Sequence, residues 1–222
     1  MSEHSLTPKT PSGRLRVAVF ASGNGSNFQA MIDACKRGFL NLELALLVCD
    51  KPQAYAIERA NQAGIPVYSY LVKEFAGREA ADLAIIDQLR ANNIEWVVLA
   101  GYMRLLSSAL VQAYANRIVN VHPSLLPAFP GLDAIGQALR YGVRYSGVTV
   151  HLVDEGLDSG PIIGQQVVTL EVNDTEETLA KKIHAAEHEL YPRVLKWIAE
   201  GRLRLEGRIC HIEEQSPGDE LQ

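Results

Sequence analysis

The chain has 222 residues, with 21 Lys and Arg against 26 Asp and Glu, for a formal net charge of −5. That length suits one large domain or two small ones. An acidic balance without a long basic run or an arginine–aromatic stripe excludes a general nucleic-acid surface. No apolar run approaches the roughly 18 to 20 residues that span a bilayer, and the polar start MSEHSLTPKTPSGRLR has no apolar signal core. A cytoplasmic protein with no membrane partner is expected. The three cysteines, Cys35, Cys49 and Cys210, form no metal or redox spacing and read as reduced thiols.

Residues 1–13 read as a disordered tail. RVAVFA follows, a short β-rich run. Ser26 is a candidate helix N-cap with Gln29 three residues on, the capping-box spacing. Phe28, Met31, Ile32 and Cys35 keep helical spacing, and Gly38 suits the C′ position. LELALLVC is the next strand and AYAIERANQAG a helix ending at Gly64. IPVYSY is a short strand, REAADLAIIDQLRANN a helix and EWVVLAG a buried strand. A short helix from about Ser108 to Ala115 leads into RIVNVH. This alternation predicts βαβ units and a mostly parallel, Rossmann-like α/β sheet flanked by helices.

The second half changes character. NVHPSLLPAFPG, with three prolines, predicts an irregular loop, and LDAIGQALRYG a short helix. YSGVTVHLVDEGLDSGPIIGQQVVTL predicts two strands joined by a Gly-rich loop. Asp174 and Glu177 are expected to cap a final long helix that Pro192 bends or restarts before Gly201. A single domain over residues 14–205 is expected, with 206–222 a flexible tail.

In a parallel sheet, ligands collect at the carboxyl ends of the strands. Here those ends carry SGNGSN, CDK, GYMR and NVH, so that edge is the expected active site. SGNGSN falls short of the dinucleotide fingerprint G-x-G-x-x-G, because Phe28 stands where the third glycine permits close helix–strand packing. Asp50 could mimic the acid that holds a ribose in such sites. A monophosphate asks for less: the N–H groups of Gly25, Ser26 and Asn27 and the positive end of a helix dipole. Read alone, the loop fits a phosphate site or a plain strand-to-helix turn.

Asn120 and His122 are two apart on a strand and face the same way. An amide can donate to a developing oxyanion, and an imidazole manages a proton near neutral pH. Asp158, between Gly156 and Gly160, could orient His122; alone it reads better as an acidic turn. His184, Glu187 and His188 share one helical face. H-E-x-x-H is absent and no third ligand is evident, so no metal is expected.

Taken in order, SGNGSN, AGYMRLL, NVHPSLLPAFPG, DEGLDSGPI and AEHELYP resemble the phosphoribosylglycinamide formyltransferases, folate-dependent transformylases of purine synthesis. The similarity runs from about Arg16 to Leu203. HPSLLP is shared more widely among enzymes that use 10-formyltetrahydrofolate, while SGNGSN discriminates, because it serves the ribose phosphate.

The resemblance implies a formyltransferase fold and a 10-formyltetrahydrofolate cosubstrate without a metal. Gly25, Ser26 and Asn27 would hold the ribonucleotide phosphate and Glu187 its amine. Arg78, Met103, Arg104, Leu105, Leu106 and Asn120 would contact the folate. Asn120, His122 and Asp158 would be catalytic, with a bound water helping the proton move from the amine to the leaving nitrogen. Partners would be small molecules only, in a monomer or a homodimer.

Some positions depart from family members: Asp133 and Ile135 replace histidines, so the loop from Pro127 to Gly136 is expected to order differently. His184 stands where a lysine can contact the phosphate.

Related readings are other 10-formyl-folate enzymes. A formyltetrahydrofolate hydrolase ranks second, since the same site attacking with water would look similar, although such enzymes carry an extra N-terminal regulatory domain. A methionyl-tRNA formyltransferase needs a C-terminal tRNA-binding domain, and this chain stops too early for one. A sugar-nucleotide formyltransferase should differ at the phosphate loop. A non-enzymatic nucleotide-sensing domain would leave Asn120, His122 and Asp158 without a purpose.

Overall fold

The computed structural model describes residues 13–214. Most of the two expected tails, 1–12 and 215–222, lies outside the described residues. The first half follows the βα alternation expected of it. β1 (Leu15–Phe20), α1 (Ser26–Lys36), β2 (Leu42–Cys49), α2 (Tyr55–Gln62) and β3 (Val67–Ser69) come first. α3 (Arg78–Ala91), β4 (Trp96–Leu99), α4 (Ser108–Ala113) and β5 (Ile118–His122) follow. The second half holds α5 (Ala134–Tyr141), β6 (Tyr145–Leu152), β7 (Ile162–Thr169), α6 (Glu176–Ala199), β8 (Leu203–Glu206) and β9 (Ile209–Ile212).

Seven strands form one sheet in the order β3-β2-β1-β4-β5-β6-β7. β1 to β5 run parallel; β6 lies antiparallel to β5, and β7 to β6. The period of two along β1 splits its side chains between two faces. Val17, Val19 and Ala21 pack with Phe28, Met31 and Ile32 of α1 and with Leu190 and Val194 of α6. Ala18 and Phe20 pack on the other face with Ile85 and Leu89 of α3 and Leu110 of α4. β1 and β4, covered on both faces, are therefore almost wholly apolar, as buried parallel strands must be.

Strand order reverses at β1: the chain moves outward to β2 and β3, then returns to β4 and β5 on the other side. The crevice beyond the carboxyl ends of β1 and β4 is a topological switch point, where open α/β sheets bind ligands.

Four local expectations are corrected. The N-cap of α1 is Gly25, not Ser26, and no side chain caps it. Gln29 does not reach back, because its Oε1 accepts from Arg59 and its Nε2 donates to Asp33. The N-cap of α6 is Thr175, whose hydroxyl accepts from the Thr178 N–H. Asp174 lies one residue outside and binds Lys182 and the Thr178 hydroxyl instead. α6 is one helix through Pro192, with no restart. The boundary expected at 205 falls inside a hairpin: β8 and β9 pair antiparallel across a turn at Gly207, φ 59°. Leu203 is buried beneath it, and Arg208 donates to the Ser159 carbonyl, so residues 206–212 form a paired, partly exposed hairpin rather than a free tail.

Candidate active site

The loop after β1 sets the first wall. Gly25 adopts φ 73°, a left-handed conformation that costs other residues about 1 kcal/mol or more. A Cβ there would also lie 2.8 Å from the Ala56 Cβ of α2. Glycine is thus required by backbone and by space. The turn it makes opens α1 with the amides of Ser26 and Asn27 uncovered by any side-chain cap. An N-terminus of this kind attracts anions. Phe28, three residues into the fingerprint spacing, is fully buried in the core.

Asn27 is 9% exposed and donates from Nδ2 to Glu187 Oε2 at 2.8 Å. Its Oδ1 is buried without a partner among the described residues. Glu187 comes from α6, 160 positions along, and is 6% exposed. Burial pushes its carboxyl above the usual carboxylate range, while the Asn27 amide and the nearby His184 and His122 pull the other way. A buried carboxyl with an unpartnered amide oxygen beside it is suited to receive an amine or ammonium group.

The segment after β4 forms a second wall. The Met103 N–H donates to Ser22 Oγ at 3.0 Å, tying this segment to the β1 loop. Met103 and Leu105 are 62% and 61% exposed, whereas Arg104 and Leu106 between and after them are half-buried. Arg104 lies over the Tyr70 ring, 6.0 Å from its centroid, and its Nε is buried without a partner among the described residues. Arg78 is exposed at the first turn of α3.

The third group stands at the end of β5. The structure brings Asn120, His122 and Asp158 together. His122 Nε2 lies 2.8 Å from the Phe129 carbonyl, so Nε2 carries a hydrogen; Nδ1 faces Asp158 Oδ2 at 3.5 Å. Asp158 is held by the Gly131 N–H at 2.8 Å and sits at φ 50°. Its loop folds back tightly, and a Cβ at Gly160 would collide with the Leu152 carbonyl. The proline-rich loop from Pro123 to Asp133 is irregular, as expected, and Phe129, Gly131 and Asp133 all have positive φ. Asp133, one of the departures in this loop, forms an ion pair with Arg140 at 2.7 Å.

A fourth side chain was not expected. His151 of β6 lies opposite Asn120 in the antiparallel register and is 2% exposed. Its Nδ1 lies 2.8 Å from the Leu152 carbonyl, which places the hydrogen on Nδ1. Nε2 is then an acceptor, 3.2 Å from Asn120 Nδ2 and 3.8 Å from Asp158 Oδ1. Burial holds this imidazole below the usual histidine range, outweighing the neighbouring Asp158. His151 thus takes one N–H of Asn120 and fixes which way its amide faces. The signal was present: Thr149 and His151 are polar at alternate positions in the apolar second half of the strand. Only the register with β5 shows what they meet.

Among the described residues no cluster of His, Cys, Asp or Glu could hold a metal ion, and no helix is long and apolar enough to cross a membrane. What the edge offers is the buried carboxyl of Glu187, an amide and an imidazole at a buried strand end, and a carboxylate behind them. That set suits transfer at a carbonyl-type carbon.

The family model described as formyl transferase matches residues 15–195. The chain is 52% identical over 181 residues to the phosphoribosylglycinamide formyltransferase of Bacillus subtilis, covering 82% of this chain and 93% of that protein. It superposes on the crystal structure of glycinamide ribonucleotide transformylase 1 from Symbiobacterium toebii with a TM-score of 0.89 and 44% identity. That alignment covers 91% of this chain and 95% of the other. A more distant structural neighbour is a formyltetrahydrofolate deformylase from Pseudomonas syringae pv. tomato. It has a TM-score of 0.85 and 27% identity, over 90% of this chain and 66% of that one.

Proposed function

The chain belongs to the formyl transferase family, and we propose from that premise how its residues carry a formyl group from 10-formyltetrahydrofolate to the amine of 5-phosphoribosylglycinamide in purine synthesis. The observation that carries the reading is the position of Glu187. This one buried carboxyl is bonded to Asn27 of the α1 loop and lies within electrostatic range of His122. A substrate with its phosphate on Gly25, Ser26 and Asn27 would bring its amine past Glu187 towards Asn120 and His122.

The glycinamide amine attacks the formyl carbon, and a tetrahedral oxyanion forms. The N–H of Asn120 not held by His151 donates to that oxygen. His122 is the second donor. The Phe129 carbonyl, now bonded to His122 Nε2, must yield for that N–H to serve the oxyanion. Asp158 keeps His122 oriented from the Nδ1 side. Collapse breaks the bond to the folate nitrogen, which gains the proton that the amine loses. Met103, Arg104, Leu105, Leu106, Arg78 and Asn120 serve the folate; the exposed apolar faces of Met103 and Leu105 support this.

The alternative is hydrolysis of the formyl-folate, in which water takes the place of the amine. Purified protein with 10-formyltetrahydrofolate, with and without glycinamide ribonucleotide, separates the two by absorbance. Formyl loss that depends on the ribonucleotide is expected. Loss at the same rate without it would establish the hydrolase instead.

A further inference from the structure

Arg59 lies on α2, outside every residue assigned above, with its guanidinium turned back onto the loop before α1. Nε donates to the Asn24 carbonyl at 2.9 Å and Nη2 to Asn24 Oδ1 at 2.9 Å. Nη1 donates to Gln29 Oε1 at 2.9 Å. The fork therefore grips both oxygens of the residue that precedes the left-handed Gly25, and also a side chain from the first turn of α1. Gln29 is braced in turn by Asp33, to which its Nε2 donates at 2.9 Å. The Tyr55 ring stacks on the guanidinium, with its centroid 4.8 Å from Cζ.

The rest of this helix start serves the same loop. The Ala56 N–H donates to the Gly23 carbonyl at 3.1 Å, and the Ala56 Cβ fills the space beside Gly25. The SGNGSN loop is thus held at Gly23, Asn24 and Gly25 from one platform. A short loop that must present bare amides has no side-chain cap to hold its shape. Donors fixed in advance spend nothing on reorganisation when the anion arrives. A planar guanidinium can bond three acceptors in fixed directions; an ammonium on a flexible stem cannot. The charge of Arg59 is also near His188, so it adds a positive field on the side of the loop where the α1 dipole is positive.

We propose that Arg59 is the positioning residue of the phosphate subsite, clamping Asn24 to Gln29 so that the amides after Gly25 stay aimed at the ribonucleotide phosphate. This rests on the phosphate reading of the α1 loop. Arg59 touches neither the reacting amine nor the folate.

The test compares glycinamide ribonucleotide with the same substrate lacking its phosphate, for the full-length parent, Arg59→Met and Arg59→Lys. In both variants KM for the ribonucleotide should rise about tenfold or more, the scale of a lost charge-assisted bond network. kcat and KM for the formyl-folate should stay within about twofold of the parent, and kcat/KM for the dephosphorylated substrate should not change. An unchanged ribonucleotide KM in Arg59→Met overturns the proposal. So does an equal fractional loss on the two substrates, which would mark a merely structural role. A parent enzyme that does not prefer the phosphorylated substrate overturns the phosphate reading itself, and the clamp with it. If Arg59→Met does not fold, Asn24→Ala keeps Arg59 and removes one acceptor. It should raise the ribonucleotide KM alone, and no rise overturns the clamp.

Discussion

At the scale of single residues, the β5 end sets two demands on one amide. Asn120 must offer an N–H in one direction, and His151 takes the other N–H to hold it there. Asn120→Ala should therefore lower kcat by about 10²–10³, the usual effect of losing one oxyanion donor, with much smaller changes in either KM. Steady-state kinetics at saturating folate check this; a kcat equal to the parent's would remove Asn120 from the chemistry. His151→Leu keeps Asn120 but frees its amide to rotate. It should cost about tenfold in kcat, less than removing the donor itself, and should leave the ribonucleotide KM alone. If His151→Leu were as damaging as Asn120→Ala, the imidazole would have to act on the substrate directly. Glu187 was singled out by the resemblance of AEHELYP to the family pattern, not by its helical spacing. Its bond to Asn27 was not legible, because that contact joins positions 160 apart.

At the scale of elements, α6 has to deliver Glu187 to an edge built by other strands. Tyr191, one turn further on and fully buried, fixes its height. The hydroxyl lies 2.9 Å from the Leu99 carbonyl and 3.0 Å from the Val119 carbonyl, so it bridges β4 and β5 just below the site. Tyr191→Phe would leave buried carbonyls without that donor and should cost about 1–3 kcal/mol of stability. For a domain of this size that is a fall in Tm of several degrees, about 2–4 °C per kcal/mol. It should also weaken capture of the amine, since Glu187 loses its anchor. A thermal melt beside a ribonucleotide KM measurement tests both, and an unchanged Tm would show that the hydroxyl carries no net stability. The same scale explains the misplaced caps. Sequence spacing marked Ser26 and Asp174 correctly as near helix starts. At α1 Arg59 takes Gln29, the partner a Ser26 capping box would need, and at α6 Lys182 takes Asp174 itself.

For the whole molecule, the proposed role of Glu187 in holding the amine opposes stability. Its carboxyl titrates above its unfolded value because of burial. As pH rises through the carboxylate range, the unfolded chain releases a proton that the folded chain retains, so stability falls. Glu187→Gln should raise Tm at pH 7.5 relative to the parent and leave it nearly unchanged at pH 4, while capture of the amine weakens. An equal effect at both pH values would refute the burial penalty. His151 has the opposite sign. Its imidazole sits below its unfolded value, so as pH falls below about 6.5 the unfolded chain takes up a proton that the folded chain refuses. Stability is lost on that side too, so the two buried groups weaken the fold in opposite directions of pH.

The alternation of short apolar runs with 3.6-period runs determined the parallel half of the sheet, because each element's pattern is local to it. Asn120 and His122 stood out for a related reason, since a strand end shows in the sequence itself; Asp158 and the role of the glycine loop came only with the family resemblance. Other features depended on contacts between distant positions. The antiparallel β6 set His151 against Asn120, and α6 set Glu187 against Asn27. The hairpin at 203–212 packed a stretch read as tail. Arg59, an ordinary helical arginine by its spacing, became the clamp on the α1 loop only where α2 crosses beneath Gly25. Local pattern fixes which elements form, because the backbone periods are intrinsic. Which polar groups meet is fixed by how those elements pack, and no period in the sequence encodes a pairing between residues more than a hundred positions apart.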